Sequence, residues 1–170
     1  TLAYYENTGT AQAPVYVERV AAANPFNGID VGTQSMPAFI NLDGDAALEL
    51  VVGNADGTLA AYDLSGAAYV PMAVNPFAGI DVGTASAPAF ADVAGDAGLD
   101  LVVGAVDGTL YVYESTATGF VALSGAANPF NGVDVGSSST PAFVDLDTDG
   151  DLDLVVGAAD GTLSTYESTA

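Results

Sequence analysis

Apolar and polar positions alternate along much of this chain, in short runs separated by turns. Near the C-terminal end, Pro141–Leu146 alternates, Leu152–Gly157 is an apolar run rich in valine, and Thr162–Glu167 alternates again. Such alternation is typical of a half-buried strand, whereas a helix would place apolar residues every three to four positions. Asp160-Gly161 between the last two runs indicates a tight hairpin, because glycine accepts the positive φ that such a turn requires. The pattern predicts consecutive antiparallel strands.

The same pattern occurs in tandem along the chain. Asn-Pro-Phe occurs at 24–26, 75–77 and 128–130, Pro-Ala-Phe at 37–39, 88–90 and 141–143, and Val-Val-Gly at 51–53, 102–104 and 155–157. All three tripeptides recur after 51 and then after 53 residues. Three motifs in constant phase indicate a structural repeat of about fifty residues.

Four short strands in a repeat of roughly 40–55 residues are typical of a β-propeller blade. A parallel β-helix has a much shorter period, and a helical solenoid needs helices. Thr1-Leu2 occupies the same repeat position as Thr58-Leu59, so the chain is expected to begin at the third strand of a blade. We predict an all-β fold of four-stranded antiparallel blades: a partial blade with strands three and four at 1–36, blades at 37–87 and 88–140, and a partial blade with strands one to three at 141–170.

Charge narrows the functions that this fold can serve. The chain has 22 acidic residues, one basic residue (Arg19), no histidine and no cysteine, and its net charge is −21. Nucleic acids and anionic membrane surfaces are bound through Lys and Arg, so neither is an expected partner. No apolar stretch approaches the roughly 18–20 residues that span a bilayer, so membrane insertion is not expected. Such acidity favours divalent cations as ligands, or reflects a salty medium.

The last repeat contains an acidic loop whose spacing suits calcium. Its carboxylates are Asp145, Asp147, Asp149, Asp151 and Asp153. Calcium takes six to eight oxygen ligands, and alternate residues of a tight loop turned by Gly150 can point their carboxylates at one ion. Asp151 is expected to contribute its backbone carbonyl and Asp153 the closing carboxylate. Carboxylates this close repel one another unless a cation lies among them, which favours a metal site over a solvated acidic turn.

The two equivalent loops depart from this pattern. The first loop offers Asn41, Asp43, Asp45 and Glu49 as ligands, and Ala46 replaces the glycine. The middle loop offers Asp92, Asp96 and Asp100, with Ala94 in place of one ligand and Ala97 in place of the glycine. An alanine held at positive φ costs roughly 1 kcal/mol or more. We expect calcium occupancy to rank the last loop first, the first loop second and the middle loop last.

The motif "PAFVDLDTDGDLDLVVGAADGTL" at 141–163 resembles the centre of a repeat of the FG-GAP/VCBS family. The resemblance extends over essentially the whole chain, with weaker loops in the first two copies. It implies propeller blades and a calcium ion held by the D-x-D-x-D-G-x-x-D loop between the first two strands. Members of that family serve in adhesion, carbohydrate or protein binding and surface assembly, and some are parts of enzymes, so the resemblance implies a fold and a metal rather than one activity.

The repeated Asn-Pro-Phe triplets have a structural interpretation and a binding interpretation. They could mimic a peptide-recognition motif. Because they recur at one position of every repeat, we predict turns stiffened by proline, with Phe26, Phe77 and Phe130 packed between blades. The Asp-Gly pairs, which could be taken for catalytic acids, are predicted to be hairpin turns for the same reason.

Three classes of function fit these observations. The first is a non-enzymatic, extracellular or cell-surface module with a structural or adhesive role. The second is a calcium-dependent, lectin-like domain that binds glycans or surface proteins. The third is a glycoside hydrolase that uses a pair of carboxylates. The acids recur in every repeat, whereas active sites usually break a repeat's symmetry, and no nucleophile motif is present. We therefore predict the first class and no enzymatic activity.

The repeat number also bears on assembly. Propellers close with about four to eight blades, and this chain has three copies of the repeat. Copies of the chain are therefore expected to associate head to tail, either into a ring or into a filament. Alternatively, because the first residue is Thr1, the sequence is a processed product or an excerpt of a longer propeller.

Overall fold

The computed structural model describes residues 1–168 as four antiparallel sheets. The first sheet contains β1 (Tyr4–Asn7) and β2 (Tyr16–Arg19), and the second contains β3 (Met36–Ile40), β4 (Glu49–Gly53), β5 (Leu59–Ser65) and β6 (Ala68–Pro71). The third contains β7 (Ala87–Ala91), β8 (Asp100–Gly104), β9 (Leu110–Thr116) and β10 (Gly119–Leu123), and the last contains β11 (Thr140–Val144), β12 (Asp153–Gly157) and β13 (Leu163–Tyr166). The predicted all-β fold is confirmed.

Helical structure in residues 1–168 is limited to two 3-10 turns, at Ala21–Ala23 and Gly125–Ala127. Neither turn has the length or the apolar run needed to cross a bilayer.

Every sheet is a simple meander in which consecutive strands are hydrogen-bonded neighbours. The register repeats from sheet to sheet: Phe39 lies opposite Leu50, Phe90 opposite Leu101 and Phe143 opposite Leu154. The first strands of the last three sheets, β3, β7 and β11, begin one residue before the Pro-Ala-Phe motifs that set the predicted limits of the blades. The proline is thus the second residue of an outer strand of its sheet, where its missing N–H costs no ladder bond.

The sheets pack face to face, and the core lies between them. One cluster joins Val51 and Leu59 of the second sheet to Leu101 and Val103 of the third, around Phe77. Phe77 is 1% exposed. Phe130 and Phe26 hold the same position in the two neighbouring clusters. The predicted packing of these phenylalanines between blades is therefore what the structure shows.

Neighbouring sheets also approach closely where two glycines end the second strands. A Cβ built on Gly53 would lie 1.9 Å from the carbonyl oxygen of Ser86, and one on Gly104 would lie 2.1 Å from that of Ser139. Both serines are buried, and their hydroxyls donate to the carbonyls of Thr58 and Thr109 of the preceding sheet. In its first two copies the Val-Val-Gly motif therefore ends in glycine because the next blade occupies the space of a side chain.

Candidate metal centre

The three acidic loops occupy one position in the fold, between the first and second strands of a sheet. They join β3 to β4, β7 to β8 and β11 to β12. Within residues 1–168, two of them bring three acidic side chains together: Asp43, Asp45 and Glu49 in the first loop, and Asp145, Asp147 and Asp149 in the last. In each group one oxygen from every carboxylate lies within 4.8 Å of the others.

The first loop contains a buried carboxylate with an unused oxygen. Glu49 is 1% exposed, at the start of β4. Its Oε2 accepts a hydrogen bond from the Leu42 N–H, whereas its buried Oε1 has no partner among the described residues. Leaving a buried charged acceptor unpaired is costly, so such a group needs a compensating partner. With Asp43 and Asp45 beside it, a divalent cation is the partner that the chemistry of this donor set fits.

Asn41, the fourth predicted ligand of the first loop, holds the loop in shape. Its side-chain oxygen accepts from the Gly44 N–H, and its amide nitrogen donates to the Asp45 carbonyl, both at 2.6 Å. These bonds close the turn around the carboxylates. Asn41 therefore supports the shape of the loop, and its role as a metal ligand stays a prediction.

The last loop gathers its first three aspartates but not the last two. Asp153 is buried, and both of its oxygens accept backbone hydrogen bonds, from Leu146 at 2.9 Å and Ser168 at 2.8 Å. The carboxylate of Asp151 is not part of the group of three, and its N–H donates to Asp149. Coordination through the Asp151 backbone carbonyl stays a prediction. Asp153 thus ties the loop to the end of the third strand. The difference from Glu49 is one of length, since glutamate reaches one methylene further into its loop.

The middle loop has no group of three close carboxylates among the described residues. Asp92 accepts from the backbone N–H groups of Gly95, Asp96 and Ala97. Hydrogen bonds from the Ala97 and Gly95 backbone hold the pKa of Asp92 below its ordinary value. Asp96 accepts from Gly98, and Asp100 lies apart at the base of the loop. The middle loop is therefore closed by backbone hydrogen bonds to Asp92, without the three close carboxylates of the other two loops.

The backbone of the loops departs from expectation at one position. Gly150, Ala97 and Ala46 occupy the same position in the three loops, where a positive φ is expected. Gly150 and Ala97 have φ of 101° and 68°, but Ala46 is not in the left-handed region. The first loop therefore avoids the strain expected for alanine at this position. Two residues earlier, where the other loops have glycine, Thr148 has φ of 69°, an unusual conformation for a β-branched residue. Its N–H donates to Asp145, which favours this turn.

The closing acids Asp100 and Asp153, which the sequence predicts as metal ligands, both accept backbone hydrogen bonds. Asp100 is fully buried and accepts from Val93 and Ala94 through one oxygen and from Ser115 through the other. Sequence reasoning missed this link between the loop and the third strand. The sequence carries no signal for this contact, because the donor is the backbone N–H of Ser115, which any residue except proline offers at that position.

We expect Asp100→Asn to destabilise the chain by about 1–3 kcal/mol, because an amide cannot accept all three backbone hydrogen bonds and leaves a buried N–H unpaired. Urea denaturation measures the loss, and Asp96→Asn, in the exposed part of the same loop, is the matched control. The loss should persist in EDTA. If it appears only with calcium present, Asp100 acts as a metal ligand and the structural role is wrong.

Comparison with known families gives a match in the region of the middle and last acidic loops. Residues 92–156 match the family model described as FG-GAP-like repeat. The match begins at Asp92 and ends within β12, so it contains the whole of the middle and last acidic loops. The chain carries an FG-GAP-like repeat. No curated protein and no solved structure matches it.

The match confirms the FG-GAP part of the resemblance found in the sequence. The matched region runs from the middle acidic loop to the last one and contains β8, β9, β10, β11 and most of β12. FG-GAP repeats often bind calcium, and the last of these loops has the three clustered carboxylates that an ion of this type would use.

Proposed function

We propose that this chain is a non-enzymatic, calcium-binding module that acts outside the cell or at the cell surface, in a structural or adhesive role. Calcium would be held by Asp145, Asp147 and Asp149 in the last loop and by Asp43, Asp45 and Glu49 in the first. The bound ion supplies positive charge that neutralises the clustered carboxylates. The observation that carries the proposal is the buried Glu49 Oε1 without a hydrogen-bond partner, beside two further carboxylates.

The arrangement of the loops supports a structural role for the metal. Each loop joins the first two strands of a sheet, and its closing acid reaches the backbone of the same loop. Neutralising the carboxylates would hold this end of the blade in one conformation. The net charge of −21 further favours binding of divalent cations. Direct titration of the metal-free chain with calcium tests this part of the proposal.

The family supports the remaining parts. FG-GAP repeats are generally non-enzymatic and typically extracellular. The acidic residues of this chain recur in phase with the repeat, which suits a repeated structural site better than a single catalytic centre. Adhesion or assembly through blade surfaces is the role that remains for such a module.

Self-association is the second part of the proposal and has its own test. The outer edges of the sheets expose repeated apolar side chains, Val17 on β2, Val70 on β6 and Val121 on β10. We expect multi-angle light scattering at tens of micromolar to give a mass above the 16.9 kDa of one chain, because exposed strand edges and apolar faces favour association. A stable monomer under these conditions would contradict self-association while leaving calcium binding untouched.

A further inference from the structure

Asparagine is followed by glycine at two places in the chain, Asn27-Gly28 and Asn131-Gly132. Both pairs hold the same repeat position, three residues after the asparagine of an Asn-Pro-Phe motif, and both asparagines are exposed. Asparagine in this context can lose its side-chain amide spontaneously, because the backbone nitrogen of glycine, which no Cβ shields, can attack the side-chain carbonyl carbon. In a folded chain, the reaction depends on what holds that side chain and that nitrogen.

The side chains of Asn27 and Asn131 differ from those of the other six asparagines. Within residues 1–168, no hydrogen bond holds either of the two. Each of the other six accepts a backbone N–H through its side-chain oxygen: Asn7, Asn24, Asn41, Asn54, Asn75 and Asn128. Three of these six also precede proline, whose nitrogen carries no hydrogen that it could lose. Asn27 and Asn131 can therefore turn toward the next residue without breaking a hydrogen bond.

The glycine nitrogens beside these side chains are also unbonded. The turn at the first pair is closed by its flanking residues: the Asn27 N–H donates to the Asn24 carbonyl and the Ile29 N–H to the Phe26 carbonyl, both at 3.1 Å. The turn at 128–133 repeats both bonds. In each turn the glycine N–H between them donates to no acceptor within residues 1–168. Attack by this nitrogen costs neither turn a hydrogen bond.

The Asp-Gly pairs, which can form the same ring, have the opposite arrangement. In all five the glycine N–H donates a hydrogen bond, at 43–44, 56–57, 107–108, 149–150 and 160–161. Two of these glycines are also crowded, since a Cβ built on Gly57 or Gly108 would lie 2.8 or 2.7 Å from its nearest neighbour. A Cβ on Gly28 or Gly132 would meet nothing within 4 Å. The Asn-Gly turns thus have both the unbonded nitrogen and the space that ring closure needs.

We propose that Asn27 and Asn131 are sites of spontaneous deamidation and that the fold protects the other six asparagines. The glycine nitrogen forms a bond to the side-chain carbonyl carbon, and the bond from that carbon to the amide nitrogen breaks. The proton of the glycine N–H leaves with the amide nitrogen, so ammonia is released and a cyclic succinimide remains. Water then opens the succinimide at either carbonyl, which gives aspartate or isoaspartate. Each event adds one negative charge to a chain whose net charge is −21.

The isoaspartate product should disturb the packing of its turn. Isoaspartate directs the backbone through the side-chain methylene, so an additional carbon lies between Phe26 and Ile29. The hydrogen bond between these two residues closes the turn, and both belong to one apolar cluster, in which Ile29 is 6% exposed. In the middle repeat Ala78 replaces the asparagine, so the turn that carries Phe77 cannot change in this way.

Peptide mass spectrometry of the chain after prolonged incubation at physiological temperature tests the proposal. Aspartate and isoaspartate should accumulate at positions 27 and 131 and not at the other six asparagines. Accumulation should be faster at higher pH, because the deprotonated glycine nitrogen is the nucleophile. Isoelectric focusing should show two successive acidic forms of the parent chain. Asn27→Ala with Asn131→Ala, which copies the alanine of the middle repeat, is the matched control and should give neither form.

A peptide with the sequence of residues 24–31 gives the rate without the fold. If this peptide deamidates while the folded chain stays unmodified at both positions, the proposal is wrong. Deamidation of Asn7, Asn41 or Asn54 as fast as that of Asn27 would likewise overturn it, because their hydrogen bonds would then give no protection.

The melting temperature separates the effects of the two products. Asn27→Asp with Asn131→Asp adds the charge without lengthening the backbone, and should change the melting temperature little, because both side chains are exposed. The incubated chain, which also contains isoaspartate, should melt below this variant and below the fresh parent chain. If the incubated chain and the aspartate variant melt at the same temperature, isoaspartate does not disturb the turn and that consequence is wrong.

Discussion

Phe77→Ala is expected to lower the free energy of unfolding by about 3–5 kcal/mol, the usual loss for a large aromatic side chain removed from a packed core. Phe77 is 1% exposed and contacts side chains from two successive sheets, so its loss leaves a cavity between blades. For a chain of this length, the melting temperature should fall by roughly 6–20 °C. Urea denaturation and a thermal scan monitored by circular dichroism give the two values.

The matched control for this variant is Phe130→Ala. Phe130 has the same repeat position but is half-buried, so its removal should cost clearly less. Phe77→Leu, which keeps most of the apolar volume, should fall between the parent chain and Phe77→Ala. If Phe77→Ala and Phe130→Ala lowered the free energy of unfolding equally, packing between blades would not be what distinguishes the two positions.

Removal of calcium is expected to have a comparable effect. A ligand that binds only the folded state stabilises it by about 2.7 kcal/mol per site at a concentration one hundred times its Kd. With two acidic clusters, excess EDTA should lower the melting temperature by roughly 10 °C or more relative to saturating calcium. Differential scanning fluorimetry or calorimetry of the same sample in the two buffers measures the shift.

Substitutions in the acidic loops distinguish the loss of calcium binding from a general loss of stability, because their effect should depend on whether calcium is present. Asp147→Ala with Asp149→Ala should lower stability in calcium, because the last cluster loses its ligands. In EDTA the same pair should be neutral or stabilising, because mutual repulsion of the carboxylates is relieved. Asp43→Ala with Asp45→Ala should behave likewise, and Asp96→Asn in the middle loop should give the same melting temperature as the parent in both buffers. A pair that is equally destabilised in both buffers would contradict the metal interpretation.

The repeat and its strands could be predicted from the sequence because backbone and packing requirements recur every 51 to 53 residues. Alternating side chains, Asp-Gly hairpins and the Asn-Pro-Phe turns each reflect a local constraint. Packing of Phe77 between sheets followed from its constant place in the repeat. These features depend on residues close in sequence or on strict periodicity.

The detailed contacts of the loops depend on side-chain length and on residues far apart in the chain. Asp153 and Glu49 occupy the same repeat position at the end of their loops. However, Asp153 accepts a hydrogen bond from the Ser168 N–H at the end of the third strand, whereas Glu49 has one oxygen without a hydrogen-bond partner. The left-handed Thr148 is held by its bond to Asp145, and no propensity of threonine predicts it. The links from Ser86 and Ser139 to the preceding sheet likewise connect residues about thirty positions apart.

The central claim is that the first and last loops each hold a calcium ion, and isothermal titration calorimetry tests it most directly. Metal-free chain titrated with calcium up to several millimolar, which covers the affinity range of extracellular calcium modules, should bind two ions per chain. Removing Asp43 and Asp45, or Asp147 and Asp149, should reduce that number to one, and removing all four should abolish binding. Absence of binding at millimolar calcium, or a stoichiometry that neither pair of substitutions changes, would contradict the account.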